Sequence, residues 1–139
     1  MIKIIDRLSL KVIAASLGLV VLLMSSGWST DGKGYQNIAG DQFVKMMDHK
    51  DFILINVHIP YAGEIAKTDL LIPFNAISQH KNQLPSDKNA KIVVYCMTGP
   101  MGYIAAEKLV NMGYTRVVHF QGGMRAWKKT GKQLIYRLK

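Results

Sequence analysis

Cys96 is the one cysteine in the 139-residue chain, and it stands where a reactive thiol would be placed. It closes the apolar run Lys91-Ile92-Val93-Val94-Tyr95-Cys96, whose length and β-branched content predict a buried strand. The short segment Met97-Thr98-Gly99-Pro100-Met101-Gly102 follows as a loop. A helical pattern then sets apolar or small residues at Met101, Ala105, Leu109 and Met112 and stops at Gly113. A thiol between the carboxyl end of a strand and the amino end of a helix meets unpaired N–H groups and the positive end of the helix dipole. Both favour the thiolate, which is the nucleophile. Gly99 and Gly102 let the loop curl so that several N–H groups converge on one anion. The competing reading is a buried cysteine packed as a small hydrophobe.

Other residues bear on this chemistry. His58 and His119 end or flank core strands, so either could form a Cys–His pair with Cys96 or serve as a hydrogen-bonded structural residue. Cys96, Met97 and Met101 are soft ligands that suit Cu(I). Met46, Met47 and Met112 have helical core spacing, however, and neither a metal site nor a cofactor is expected. Glu64 and Asp69 lie in the loop after the first core strand, where exposure is the default for a carboxylate. Trp127 reads as a packing anchor.

These groups need a scaffold. Asp41 is placed to cap a helix running to about His49, with Phe43, Met46 and Met47 on its buried side. Residues 52–57 predict a core strand, 58–69 a loop, and 70–73 a short strand stopped by Pro73. A helix over 75–83 and a turn at 84–87 lead to the Cys96 strand. After the helix behind the loop, 116–120 predicts a further strand, Gly122-Gly123 breaks the chain, and 124–129 forms a last helix. Strands alternating with helices imply an α/β domain with a mostly parallel sheet. Sites in such sheets lie beyond the carboxyl ends of the strands, where Cys96 falls.

The amino terminus has a different character. Lys3, Arg7 and Lys11 precede 13 uncharged, mostly apolar residues, Val12 to Met24, and then Ser25, Ser26 and Gly27. This predicts that residues 1–29 are a secretory signal, cleaved after Gly27 or Ser29. The alternative is an uncleaved anchor, although the apolar run is short of the roughly 20 residues that a spanning helix needs. Residues 30–37 read as a linker and 38–136 as the folded domain. Export to the periplasm or cell envelope leaves one thiol in an oxidising compartment with no internal disulfide, which suggests reactivity or pairing with another molecule. From Asp31 onward, 15 Lys and Arg stand against 8 Asp and Glu, a net +7. The basic residues are scattered, without the stripe and interleaved aromatics of a nucleic-acid footprint. A monomer is expected, touching a membrane only through an uncleaved amino terminus.

Four blocks together resemble a single-domain rhodanese, a sulfurtransferase-like domain, over about Ile38 to Leu134. Ile53-Leu54-Ile55-Asn56-Val57-His58 resembles the family's first core strand, and Ile92 to Gly99 the nucleophile strand and loop. Ala105-Ala106 through Leu109, with Met112-Gly113-Tyr114, resemble the helix behind it. Gly122-Gly123-Met124-Arg125-Ala126-Trp127, followed by Gly131, is similar to the terminal signature. The resemblance implies a three-layer α/β fold with a central sheet flanked by helices. It implies Cys96 as nucleophile, accepting sulfur as a persulfide from a small-molecule or protein donor and passing it to a thiol or other nucleophilic acceptor. The backbone of Met97, Thr98, Gly99, Pro100, Met101 and Gly102 would cradle the anion. Asn56, His58 and His119 would stand behind it.

The departures are as informative. Family loops often carry arginine directly after the cysteine and again near the loop's end, followed by serine or threonine; here Met97, Met101 and Gly102 stand there. Asn56 and His58 replace an aspartate and an arginine. An apolar methionine rim would recognise thiosulfate poorly. The alternative function is a rhodanese-like module that binds a partner protein without catalysis. The phosphatases and arsenate reductases of this fold have a loop one residue longer with an oxyanion-binding arginine; that position is Gly102 here, which argues against them.

Overall fold

The computed structural model describes residues 32–137. The expected signal or anchor, 1–29, lies outside the described residues, and among these no helix is long and apolar enough to cross a membrane. Five strands form the sheet: β1 (Tyr35–Ile38), β2 (Ile53–Asn56), β3 (Leu70–Leu71), β4 (Lys91–Tyr95) and β5 (Arg116–Phe120). Their order is β1-β5-β4-β2-β3, and every adjacent pair is parallel. The helices are α1 (Gly40–Asp48), α2 (Pro100–Asn111) and α3 (Gly123–Lys129), with a 3-10 segment over Ile77–Gln83.

Period-two alternation in the strands divides the core in two. Ile92 and Val94 of β4 pack with Ala105, Ala106 and Leu109 of α2 and with Ile77 of the 3-10 segment. Val93 and Tyr95 face the other way, onto Phe43 and Met47 of α1 and Met124 and Trp127 of α3. The result is three layers, helix on sheet on helix, as the resemblance implied. Trp127 is an anchor: its ring meets Phe43 edge-on at 5.6 Å and its indole N–H donates to the Gln133 carbonyl at 3.1 Å.

Three expectations are corrected. The segment 30–37 is not all linker, because β1 begins at Tyr35 and pairs with β5 from Tyr35↔Val117 to Ile38↔Phe120. Its two central polar residues hide it from a hydrophobic pattern; pairing with a buried strand makes it. Asp41 does not cap α1: Ala39 is the capping residue, and its N–H donates to the Gln42 side chain at 3.1 Å. Glu64 is not exposed but only 1 % accessible. The chain's end returns to it: Ile135 bridges Glu64 in antiparallel fashion, and Arg137 forms an ion pair with its carboxylate. Asp69 is exposed as expected, bonded to the Leu54 N–H at 2.7 Å and to Lys50.

Candidate active site

Cys96 follows the last residue of β4, and α2 starts at Pro100. The free thiol is buried, 1 % accessible, with its side chain in the core cluster on the α2 side of the sheet. The turn between the two elements brings the Gly99 N–H onto Cys96 Sγ at 2.9 Å. Gly99 holds φ +139°, a conformation for glycine, which is why this residue type stands there. In the first turn of α2, N–H groups have no partner within the helix. Pro100 brings none, so Met101 and Gly102 supply them, at the positive end of the helix dipole.

The loop is held from the opposite layer. The Met124 N–H of α3 donates to the Cys96 carbonyl at 2.9 Å, and the Arg125 N–H to the Met97 carbonyl at 3.0 Å. This requires Gly123, where a Cβ would meet the Cys96 carbonyl oxygen. The sequence marked Gly122-Gly123 only as a chain break and part of a signature. Its role in seating the cysteine loop is set by a contact 27 residues apart in the chain, which no local pattern carries.

His119 is brought into this assembly. It is fully buried, and Asn37 Oδ1 lies 2.9 Å from its Nδ1. Its Nε2 has no hydrogen-bond partner and sits against Gly102, where an added Cβ would stand 2.5 Å from Nε2 and 3.8 Å from the Cys96 nitrogen. Gly102 therefore gives room to an imidazole as well as curvature to a loop. Burial pushes the His119 pKa down to about 4, with the Gly99 carbonyl pulling the other way. The ring is neutral at ordinary pH and is not an imidazolium partner for a thiolate.

Asn56 and His58 do not join the thiol. Asn56 is buried, with Oδ1 accepting the His58 N–H at 3.0 Å and Nδ2 donating to the Gly63 carbonyl at 3.1 Å, so it shapes the following loop. The half-buried His58 ring lines a cavity over β2 and β3, and burial lowers its pKa. Met97 and Met101 are half-buried and pack against opposite core clusters, Met97 on the α3 side and Met101 on the α2 side. The methionine rim thus also wedges the loop between the two cores. Thr98 and Pro100 are exposed at the tip.

A family profile described as "Rhodanese-like domain" matches residues 33–130. The chain belongs to the rhodanese-like family. It is 30 % identical over 95 residues to a protein named "Sulfurtransferase" from Allochromatium vinosum, a match covering 66 % of this chain and 85 % of that protein. It is 36 % identical over 80 residues to the "Probable adenylyltransferase/sulfurtransferase MoeZ" of Mycobacterium tuberculosis, covering 55 % of this chain but only 20 % of that protein. The solved structure of a rhodanese-related protein from Thermoplasma volcanium superposes with a TM-score of 0.63 at 23 % identity, covering 74 % of this chain and all of that one. This last likeness is one of fold. The family carries with it the sulfurtransferase class.

Proposed function

We propose that this protein is an exported sulfurtransferase that carries sulfur as a persulfide on Cys96. In the first step the Cys96 thiolate attacks the outer sulfur of a donor. A sulfur–sulfur bond forms as the donor's own breaks, and the rest of the donor leaves with that electron pair. In the second step an acceptor thiolate attacks the outer persulfide sulfur, and Cys96 leaves as thiolate. Cys96 Sγ carries negative charge as the attacking thiolate of the first step and develops it again as the leaving group of the second, and preorganised N–H donors stabilise such charge without a histidine base. The observation that carries the reading is the Gly99 N–H aimed at Sγ at 2.9 Å from a loop closed by the amino end of α2. The methionines at 97 and 101 suit an apolar or protein-borne donor better than thiosulfate. Export rests on the basic, then apolar, then small-residue pattern of residues 1–29.

The test is intact mass spectrometry after mixing with several sulfur donors. One added sulfur atom is expected on the wild type and none on Cys96→Ser, which should keep the fold because the change is nearly isosteric. A second reading, a binding module that transfers no sulfur, is favoured by the 1 % accessibility of Cys96. It predicts no added sulfur with any donor, and that result would overturn the persulfide.

A further inference from the structure

A cavity of about 290 Å³ opens at the carboxyl ends of β2 and β3, outside the thiol loop. Its walls are mainly apolar: Ile59, Tyr61, Leu71, Ile72 and Pro73. Leu71 and Tyr61 are 39 % and 37 % exposed, which is high for large apolar side chains. The polar groups in the walls are few. Asn56 has both ends of its amide engaged within the protein. His58 is an imidazole whose pKa burial lowers. Among the described residues Arg137 is the one charged group lining the cavity.

The charge at this cavity is one-sided. The Arg137 guanidinium gives Nε to Glu64 and Nη2 to the Thr68 carbonyl at 2.8 Å, and among the described residues no acceptor takes its remaining N–H groups. Glu64 is 1 % exposed and lies behind the pair, while Arg137 is 50 % exposed. A molecule entering from solvent therefore meets the cation and not the carboxylate. A mostly apolar pocket with one placed donor group is the usual form of a small-molecule site. Its position also fits, since α/β sheets take ligands beyond the carboxyl ends of their strands.

We propose that this cavity binds a small organic anion with an apolar body, its acidic group held by Arg137. The site is one strand over from the thiol, because β2 pairs directly with β4, in register from Ile53↔Ile92 to Asn56↔Tyr95. Binding there does not depend on persulfide formation, so the proposal stands or falls apart from the function proposed for Cys96.

Anilinonaphthalene sulfonate and its uncharged counterpart phenylnaphthylamine are the probes, titrated by fluorescence into the full chain. They share an apolar body and differ in the anion. The wild type should bind the sulfonate at one saturable site, about tenfold tighter than the uncharged probe at low salt, as one charge-assisted hydrogen bond would give. Added salt should shrink that preference. Leu71→Glu, at an exposed position, should weaken the sulfonate at least tenfold with circular dichroism unchanged. Arg137→Gln should erase the preference for the anion while leaving phenylnaphthylamine binding as it was. Because Arg137 also neutralises Glu64, the salt dependence of the wild type tests the charge if that variant does not fold. Equal affinity for the two probes at low salt would overturn the anion, and sulfonate binding unmoved by Leu71→Glu would overturn the cavity.

Discussion

Replacing Gly123 with alanine should unseat the cysteine loop. A Cβ there would stand 2.0 Å from the Cys96 carbonyl oxygen, 2.8 Å from its carbon and 3.1 Å from the Met97 carbonyl carbon. All three atoms are backbone, so no side chain can rotate to relieve the contact. Relief means moving α3 off the loop by about an ångström, which stretches the Met124 and Arg125 hydrogen bonds of 2.9 and 3.0 Å. Overpacking of this kind costs about 1–3 kcal/mol. The left-handed backbone, φ +49°, adds roughly 1 kcal/mol for any residue with a Cβ. The expected loss is about 2–4 kcal/mol, a large part of the stability of a small domain. Urea denaturation measures it, with Gly131→Ala as the control. Gly131 has φ +82° and nothing within 4 Å of its Cβ position, so that variant carries the backbone cost alone. Below the unfolding transition, Gly123→Ala should also load sulfur more slowly than Gly131→Ala, because the Gly99 N–H is no longer held on Sγ. If the two variants are equally stable, α3 yields freely and the seating argument is wrong.

Other outcomes follow from the same geometry. Gly102→Ala should cost about 1–3 kcal/mol against the His119 ring, and His119→Ala should recover part of that loss; strictly additive effects in the double variant would refute the contact. His119, at about 4 when folded and about 6.5 when unfolded, binds its proton more readily in the unfolded chain, so stability should be complete above pH 6.5 and decline by up to about 3 kcal/mol as pH falls toward 4. Urea midpoints at pH 7 and 4.5 should therefore converge in His119→Asn relative to wild type, with His58 leaving a smaller slope of the same sign; an unchanged slope would refute it. Met97→Arg with Met101→Arg should lower the apparent Michaelis constant for thiosulfate, each well-placed arginine contributing roughly 1.5–3 kcal/mol of charge-assisted hydrogen bonding. A wild type already efficient with thiosulfate, and a double variant that gains nothing, would place anion recognition elsewhere.

What the sequence disclosed was local. The β4–Cys96–α2 unit was legible because a β-branched run, a glycine-bearing loop and a helical period lie end to end in the chain. Tyr35–Ile38 was missed because Gln36 and Asn37 interrupt its apolar pattern and its strand character comes from pairing with β5. Glu64 was misread because the group that permits its burial, Arg137, arrives from 73 residues away. Gly102 reads in the sequence only as a residue that lets the loop curl, because only the fold places His119 against it. In each of these three cases the missing term was a tertiary contact, and for Glu64 and Gly102 it decides what the polar group or the glycine is for.

The seating of the loop also explains how a cysteine loop with no arginine in it could still present N–H groups to an anion. Each peptide unit is planar and trans, so a carbonyl and the N–H that follows it point in opposite directions. The Cys96 carbonyl shares its peptide with the Met97 N–H, and the Met97 carbonyl with the Thr98 N–H. Both carbonyls are taken by the first N–H groups of α3. Both partner N–H groups must then face away from α3. The Cys96 side chain packs in the cluster on that opposite side, with Gly99 already donating to its sulfur. The direction of these N–H groups is thus set by α3 acting through the peptide planes, and the side chains at 97 and 101 are left free to wedge the loop into the two cores. Loss of the arginines removes charge from the rim without removing the donors beneath it.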